Sequence, residues 1–467
     1  MNRNLMSGLS GLVLLALVSI LSAKEIPTSK PERQGFSSDR LDNITEFMNR
    51  KVADGTMVGG MGLIARGGRV IYEQTYGMAD REAERVMEED AIYRIYSMTK
   101  PITGVALMIL YEEGKFRLND PIAMYMPEFA NLEVAMSTAG TNIISDGTTS
   151  RTVGKGDDSL IGQTRKPTRR PTVRDLMTHT AGMTYGIFGN TEVDKMYREA
   201  GLLGDMTLEE FTKALGQIPL QYDPGSQWHY SVSVDVQGRL VEVLSGMKFS
   251  DFLRERLFEP LGMKDAGFQV NEGNKDRLAQ LYAPAGMSGD MNTAFFQQTT
   301  KPGLDVAPAS ASAGFIYGGK FESGGGGLVA TARDYLRFSQ MMLNGGELDG
   351  VRILSPKTVQ LMTTNHIGDL PMGFGRTGAG FGLDFGVVLD PGAVGEVSSA
   401  GEYNWGGAAG TRFWIDPQEK MIGLFMVQSI PHRTRLAGDF KVLAYQAMTE
   451  SYACLLYTSD AADDRMR

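Results

Sequence analysis

Strand-like runs sit at the two ends of this chain and helical patterns fill its middle, and that separation limits the folds it can adopt. Near the N-terminus the runs 58–65 and 70–76 flank Arg66-Gly67-Gly68-Arg69, a turn sequence that predicts a hairpin. Beyond residue 378 the runs 381–389, 403–415 and 421–427 alternate with turns. Between these ends, helical spacing governs 97–113 and most of 173–265, with breaks at Gly186, Gly201, Pro224 and Pro260. Further helices are predicted at 39–53, where Leu41, Ile44, Phe47 and Met48 share a face, and at 436–449. Thr331-Ala-Arg-Asp334 reads as a capping box opening a helix to about Leu343. Strands at both ends make one sheet only when the C-terminal runs join the N-terminal hairpin. The expected fold is therefore α/β in the α+β sense: an antiparallel sheet flanked by helices, with a mostly helical domain inserted. Its discontinuous α/β domain spans 24–95 and 321–453, and the helical domain spans 96–320. The junction forms a cleft, and clefts between domains favour small-molecule sites.

Of the 467 residues 42% are hydrophobic and 22% charged, the balance of a chain with a sizeable core. The net charge is −9 without long runs of one sign, so nucleic acid is not an expected partner. Arg3, the apolar run 9–21 and a cleavage point after Ala23 predict a signal peptide over 1–23, hence a periplasmic or secreted protein; an uncleaved anchor is the alternative. No later run is long enough to span a membrane, so the mature chain is expected to have no span. The single cysteine, Cys454, opens a tail over 454–467 that reads as non-native read-through. The polar stretch 139–172 is read as a long surface loop, and with 284–320 it is expected to govern substrate choice.

Ser97-Met98-Thr99-Lys100 carries the chemistry. It places a nucleophile and an amine three residues apart at the start of an apolar helical run, on one helix face. A first-turn Ser97 would sit by free amides and the positive end of the helix dipole, both of which favour an alkoxide. An unperturbed lysine is neutral in only about one molecule in 2,500 at pH 7. This chemistry therefore requires Lys100 to be desolvated. A second S-x-x-K, Ser245-Gly-Met-Lys248, follows the helical run 240–244, and Gly246 reads as its C-terminal stop, so the dipole there opposes an alkoxide.

Two further segments bear on Ser97. Trp228-His229-Tyr230-Ser231-Val232 follows the turn Asp223-Pro224-Gly225 and offers a tyrosine able to exchange a proton with a serine. Trp405-Gly406-Gly407-Ala408 offers paired glycines that let a backbone or ligand approach closely, with an amide able to form half of an oxyanion hole. In this order the segments resemble the serine β-lactamase and penicillin-binding-protein superfamily, in its class C-like branch, whose signature is S-x-x-K, then S-D-N or Y-x-N, then K-T-G. Here Val232 stands where the asparagine of Y-x-N would be. Trp405-Gly406-Gly407 stands where K-T-G would be, which removes the lysine that helps bind a substrate carboxylate in β-lactamases. With Leu176-Met-Thr-His-Thr-Ala-Gly-Met183 and the 324–334 segment, these departures make the chain most similar to the family VIII carboxylesterases.

That resemblance, over about 30–450, implies Ser97 as acyl-accepting nucleophile and Lys100 with Tyr230 as shared general base. It implies an oxyanion hole from the amides of Ser97 and Ala408. Trp405, Gly406 and Gly407 would line the substrate pocket, a neutral surface suited to uncharged esters, and His179 would hold a turn. The expected reaction is hydrolysis of short-chain esters, a small-molecule substrate, without a cofactor. A Ser-His-Asp triad is disfavoured because G-x-S-x-G is absent and the histidines are only His179, His229, His366 and His432. None has metal-ligand spacing, so no metal is expected. A β-lactamase, a D-alanyl-D-alanine carboxypeptidase or an acyltransferase would share the Ser97 chemistry, and an inactive ligand-binding relative would keep only the fold. Oligomeric state is not legible.

Overall fold

Every residue of β1 (Gly59–Arg66) is buried, because this strand lies inside the sheet with both faces covered. It was located in a computed structural model that describes residues 24–137, 141–144, 149–152, 158–287 and 301–452. The expected signal segment and the 454–467 tail lie outside the described residues. β1 pairs antiparallel with β2 (Arg69–Asp80) across the Gly67-Gly68 turn, and on its other edge with Met421–Val427, so that Leu63 faces Leu424. The two ends of the chain thus meet in one eight-stranded antiparallel sheet. Its order is Ala379–Phe381, Gly386–Val388, Tyr403–Gly406, Arg412–Asp416, Met421–Val427, β1, β2 and β3 (Arg85–Val86).

The period-two pattern sorts residues between two cores. On one face, Ile64, Trp414 and Phe425 pack under α1 (Ser38–Ala53) and the helix Leu436–Gln446, which contributes Phe440. On the other face, Leu63, Phe413 and Leu424 pack toward α2 (Thr99–Glu112) and the helix Ala332–Leu343. α2 is buried all round from Thr99 to Leu110, and it packs on the helix Ser233–Ser245. The Ala332–Leu343 helix opens on the expected capping box, with Thr331 accepting from the Asp334 amide.

A second, two-stranded ladder positions the site. β4 (Ile92–Arg94) pairs with Val329–Thr331, and the Ile95 amide extends the pairing to the Leu328 carbonyl at 3.0 Å. This brings the residues before Ser97 beside the glycine-rich segment 324–327.

Three sequence expectations change. The run 381–389 is a hairpin, Ala379–Phe381 with Gly386–Val388, because the Gly382 amide bonds to the Phe385 carbonyl and Asp384 turns the chain at φ +64°. The run 403–415 is likewise two strands, turning at 407–411. Finally, 139–172 is not a structureless loop: Thr141–Ile144 pairs with Thr149–Thr152, and Thr164–Arg165 pairs with Val134–Ala135.

Phe440 is fully buried against Tyr72, Trp414 and Phe425. Phe440→Ala should lower unfolding free energy by about 3–5 kcal/mol. Denaturant titration checks this, and an unchanged midpoint would mean the closing helix does not dock as described.

Candidate active site

Ser97 lies not within α2 but in the 3-10 turn Tyr96–Met98 that feeds it. Tyr96 adopts φ +43°, a left-handed conformation that costs a non-glycine residue about 1–3 kcal/mol. This kink aims the next side chain out of the ladder and into the cleft. Met98, the cap position of α2, makes no side-chain capping bond, so the amide end of the helix stays directed at the Ser97 region. Lys100 is in the first turn of α2 and is 0% exposed, so the desolvation its chemistry requires is met. Its Nζ donates to Ser97 Oγ at 3.2 Å, to Tyr185 Oη at 3.1 Å and to the Gly325 carbonyl at 2.7 Å. All three partners are uncharged oxygens; among the described residues no carboxylate pairs with Lys100.

Tyr230 Oη donates to Ser97 Oγ at 2.7 Å, and the Tyr230 ring lies under Lys100 Nζ at 4.5 Å. Aromatic neighbours fix that ring. Trp228 stacks on it at 6.0 Å, and His179, Tyr185, Phe374 and Trp405 contact it at 4.8–5.7 Å. Burial, with Asp235 and Tyr230 close by, holds the Tyr185 phenol well above the usual tyrosine range, so it serves Lys100 as a neutral partner.

Gly407 explains how the strand end before Ala408 comes close to the backbone near Ser97. A Cβ on Gly407 would sit 2.4 Å from the Ile95 carbonyl, so only glycine lets the end of strand Tyr403–Gly406 press against the backbone two residues before Ser97. Ser97 and Ala408 then line the same cavity, of about 870 Å³. Its walls include Phe188, Phe268, Phe315 and Phe321, while Lys248, Asp251 and Arg254 add charged groups to them. The pocket is therefore not wholly neutral. Trp405, Gly406 and Gly407 are absent from its lining. Trp405 is 5% exposed and wedged between Tyr230 and Phe381, so it acts on the site by packing behind Tyr230 rather than by touching substrate. Helix Ser310–Tyr317 supplies Ser310, Ala311, Gly314 and Phe315 to the wall, within the 284–320 segment. None of the described residues of 139–172 reaches it.

The Beta-lactamase family model matches residues 43–446. The chain belongs to the Beta-lactamase family. Its relatives include protein Rv1367c of Mycobacterium tuberculosis, 31% identical over 395 residues that cover 82% of this chain and 88% of that protein. Esterase EstB of Burkholderia gladioli is 28% identical over 381 residues, covering 81% and 86%. Among solved structures, EstCE1, a hydrolase with promiscuous acyltransferase activity, aligns with a TM-score of 0.68 at 24% identity, covering 88% of this chain and 99% of that one. The resemblance to the serine β-lactamase and penicillin-binding-protein superfamily and the fold it implied both hold.

The remaining sequence candidates sort by geometry. His179 is fully buried; burial, and then Lys100 and His229, push its imidazole well below the usual range, and its Nδ1 lies 3.3 Å from Ser231 Oγ. It holds a turn, with φ +54° and its carbonyl accepting from the His229 amide at 2.8 Å. Ser245 ends its helix, bonds back to the Val241 carbonyl at 2.6 Å and precedes the left-handed Gly246. Lys248 pairs instead with Glu322 beside the cavity. Among the described residues no cluster could hold a metal. Tyr185 and Gly325 escaped the sequence reading: Tyr185 lies in no catalytic motif, and a backbone carbonyl leaves no residue signature.

Gly407→Ala should push the Ala408 amide away from Ser97 and cut kcat by about a hundredfold with little change in KM. Steady-state kinetics decide; unaltered kcat would remove Ala408 from the oxyanion site.

Proposed function

We propose that the protein is a serine carboxylesterase of the family VIII type that hydrolyses short-chain esters through an acyl-enzyme on Ser97. The observation that carries this reading is the convergence of Tyr230 Oη and buried Lys100 Nζ on Ser97 Oγ, at 2.7 and 3.2 Å, in a cavity that Ala408 also lines. In the reacting form the Tyr230–Lys100 pair holds one proton fewer than in the arrangement where both donate to Ser97 Oγ. As Oγ attacks the ester carbonyl, its proton fills that place on the pair, and the amides of Ser97 and Ala408 stabilise the oxyanion. Collapse of the tetrahedral intermediate breaks the C–O bond to the alcohol, and the pair returns the proton to the departing oxygen. Water then gives its proton to the same pair as it attacks the acyl carbonyl, and the second collapse restores Ser97.

Trp405, packed behind Tyr230, leaves this position without the lysine of K-T-G that helps bind a substrate carboxylate. That supports uncharged esters over carboxylated β-lactams and peptides, even though charged groups remain elsewhere in the wall. The volume of the cavity exceeds that of a short acyl chain and leaves room for a larger alcohol. The N-terminal pattern supports an exported enzyme.

Comparing p-nitrophenyl butyrate with nitrocefin in the wild type and in Ser97→Ala tests the reading. Butyrate should be the better substrate, and its turnover should fall to background in Ser97→Ala. Turnover that survives the substitution removes Ser97 as nucleophile, and a strong preference for nitrocefin makes the protein a β-lactamase.

A further inference from the structure

The Lys100 amine is held by a backbone carbonyl, and that carbonyl is itself held by a buried carboxylate the mechanism does not use. Asp235, five residues after Tyr230 on the helix Ser233–Ser245, is 0% exposed. Its Oδ1 accepts from Ser323 Oγ at 2.5 Å and from the Gly325 amide at 3.1 Å. The carbonyl of the same Gly325 accepts from Lys100 at 2.7 Å. A single peptide turn therefore links carboxylate and amine. The fit is tight: a Cβ on Gly325 would lie 2.8 Å from both Asp235 Oδ2 and Tyr185 Oη, so any larger residue would force the turn off the carboxylate. Oδ2 itself has no hydrogen-bond partner and faces this same point.

We propose that Asp235 is a positioning residue for acyl transfer: it fixes the 323–327 turn that seats Lys100, and its negative charge favours arrival of the Ser97 proton on the Lys100–Tyr230 pair. The inference rests on the esterase reading of Ser97 and Lys100. The other groups facing Lys100 cannot supply that charge. Tyr230 and Tyr185 are phenols, and His179 is kept neutral by burial. Asp384, in the turn between Ala379–Phe381 and Gly386–Val388, faces Gly104 of α2. Burial pushes the Asp384 carboxyl well above the carboxylate range, opposed only by one bond, from Gln237 Nε2 at 3.0 Å, and by the Lys100 charge. Burial also leaves the Asp235 carboxyl raised, though less far, because the Ser323 hydroxyl, Lys100 and the Gly325 amide all pull it back toward the ionised form. Asp235 is thus the carboxylate better held in the charged state beside Lys100.

Asp235→Asn keeps the side-chain volume and an oxygen for both donors but removes the charge. In this variant kcat should drop about tenfold with KM within about twofold. The acid limb of kcat/KM against pH should move to lower pH, because placing a proton on the Ser97–Lys100–Tyr230 cluster becomes harder. Asp384→Asn should leave that limb in place. Ser323→Ala, which loosens the turn, should lower kcat without raising KM, and it decides the matter if Asp235→Asn fails to fold. Wild-type kcat and an unmoved limb in folded Asp235→Asn, an equal limb shift in Asp384→Asn, or full kcat in Ser323→Ala when it decides, would each overturn the proposal. Survival of activity in Ser97→Ala would instead overturn the esterase reading, so the two failures are told apart.

Discussion

A lysine side chain taken fully out of water, with only neutral oxygens around its nitrogen, is the constraint on which the rest of this structure depends. Burying a charged amine without a counter-ion is costly, and the cost falls when the amine is neutral or gives its hydrogens to well-placed acceptors. Ser97 Oγ, Tyr185 Oη and the Gly325 carbonyl occupy those places around Lys100 Nζ. Each comes from a different part of the chain, and the fold is what brings them together.

Seen from Lys100, the sheet and its small ladder have distinct tasks. The eight-stranded sheet joins the two ends of the chain and sets the strand Tyr403–Gly406 against the residues before Ser97. The ladder of β4 with Val329–Thr331 places the 323–327 turn beside α2. The helix Ser233–Ser245 supplies Asp235 on its first turn, four residues after Ser231 and five after Tyr230. Ser97 with Lys100, the Gly325 carbonyl and Asp235 thus arise from three segments that converge only in the folded state. Strain at Tyr96 is tolerated because Phe315 packs on its ring at 5.5 Å and the ladder holds the backbone before it.

Much of this was legible in the sequence where spacing alone carries information. The hairpin at 59–80, the capping box at Thr331 and the helical stop at Gly246 follow local rules and reappear in the fold. Ser97 and Lys100 were visible because their separation is helical, and the decoy at Ser245 was separable because it ends a helix rather than beginning one. What escaped was non-local. The hairpin turn at Asp384 does carry turn residues, Gly382, Asp384 and Gly386, but the apolar residues interleaved with them make the stretch read as one strand. Trp405 was placed in the substrate wall by motif position, yet period-two alternation within its strand turns it toward Tyr230 and Phe381. Tyr185 and Gly325 act through one hydroxyl and one carbonyl, and neither leaves a pattern that sequence can report.

If Lys100 activates Ser97, a covalent probe should report both residues at once. Labelling with a p-nitrophenyl alkylphosphonate, followed by peptide mass spectrometry, should place one adduct on the Ser97 peptide. Lys100→Met should slow that labelling by at least about a hundredfold, while Lys357→Met, on the helix Pro356–Met362 outside the cavity, should leave its rate unchanged. An adduct on Ser245 or any other serine, or labelling of Lys100→Met at the wild-type rate, would contradict the account.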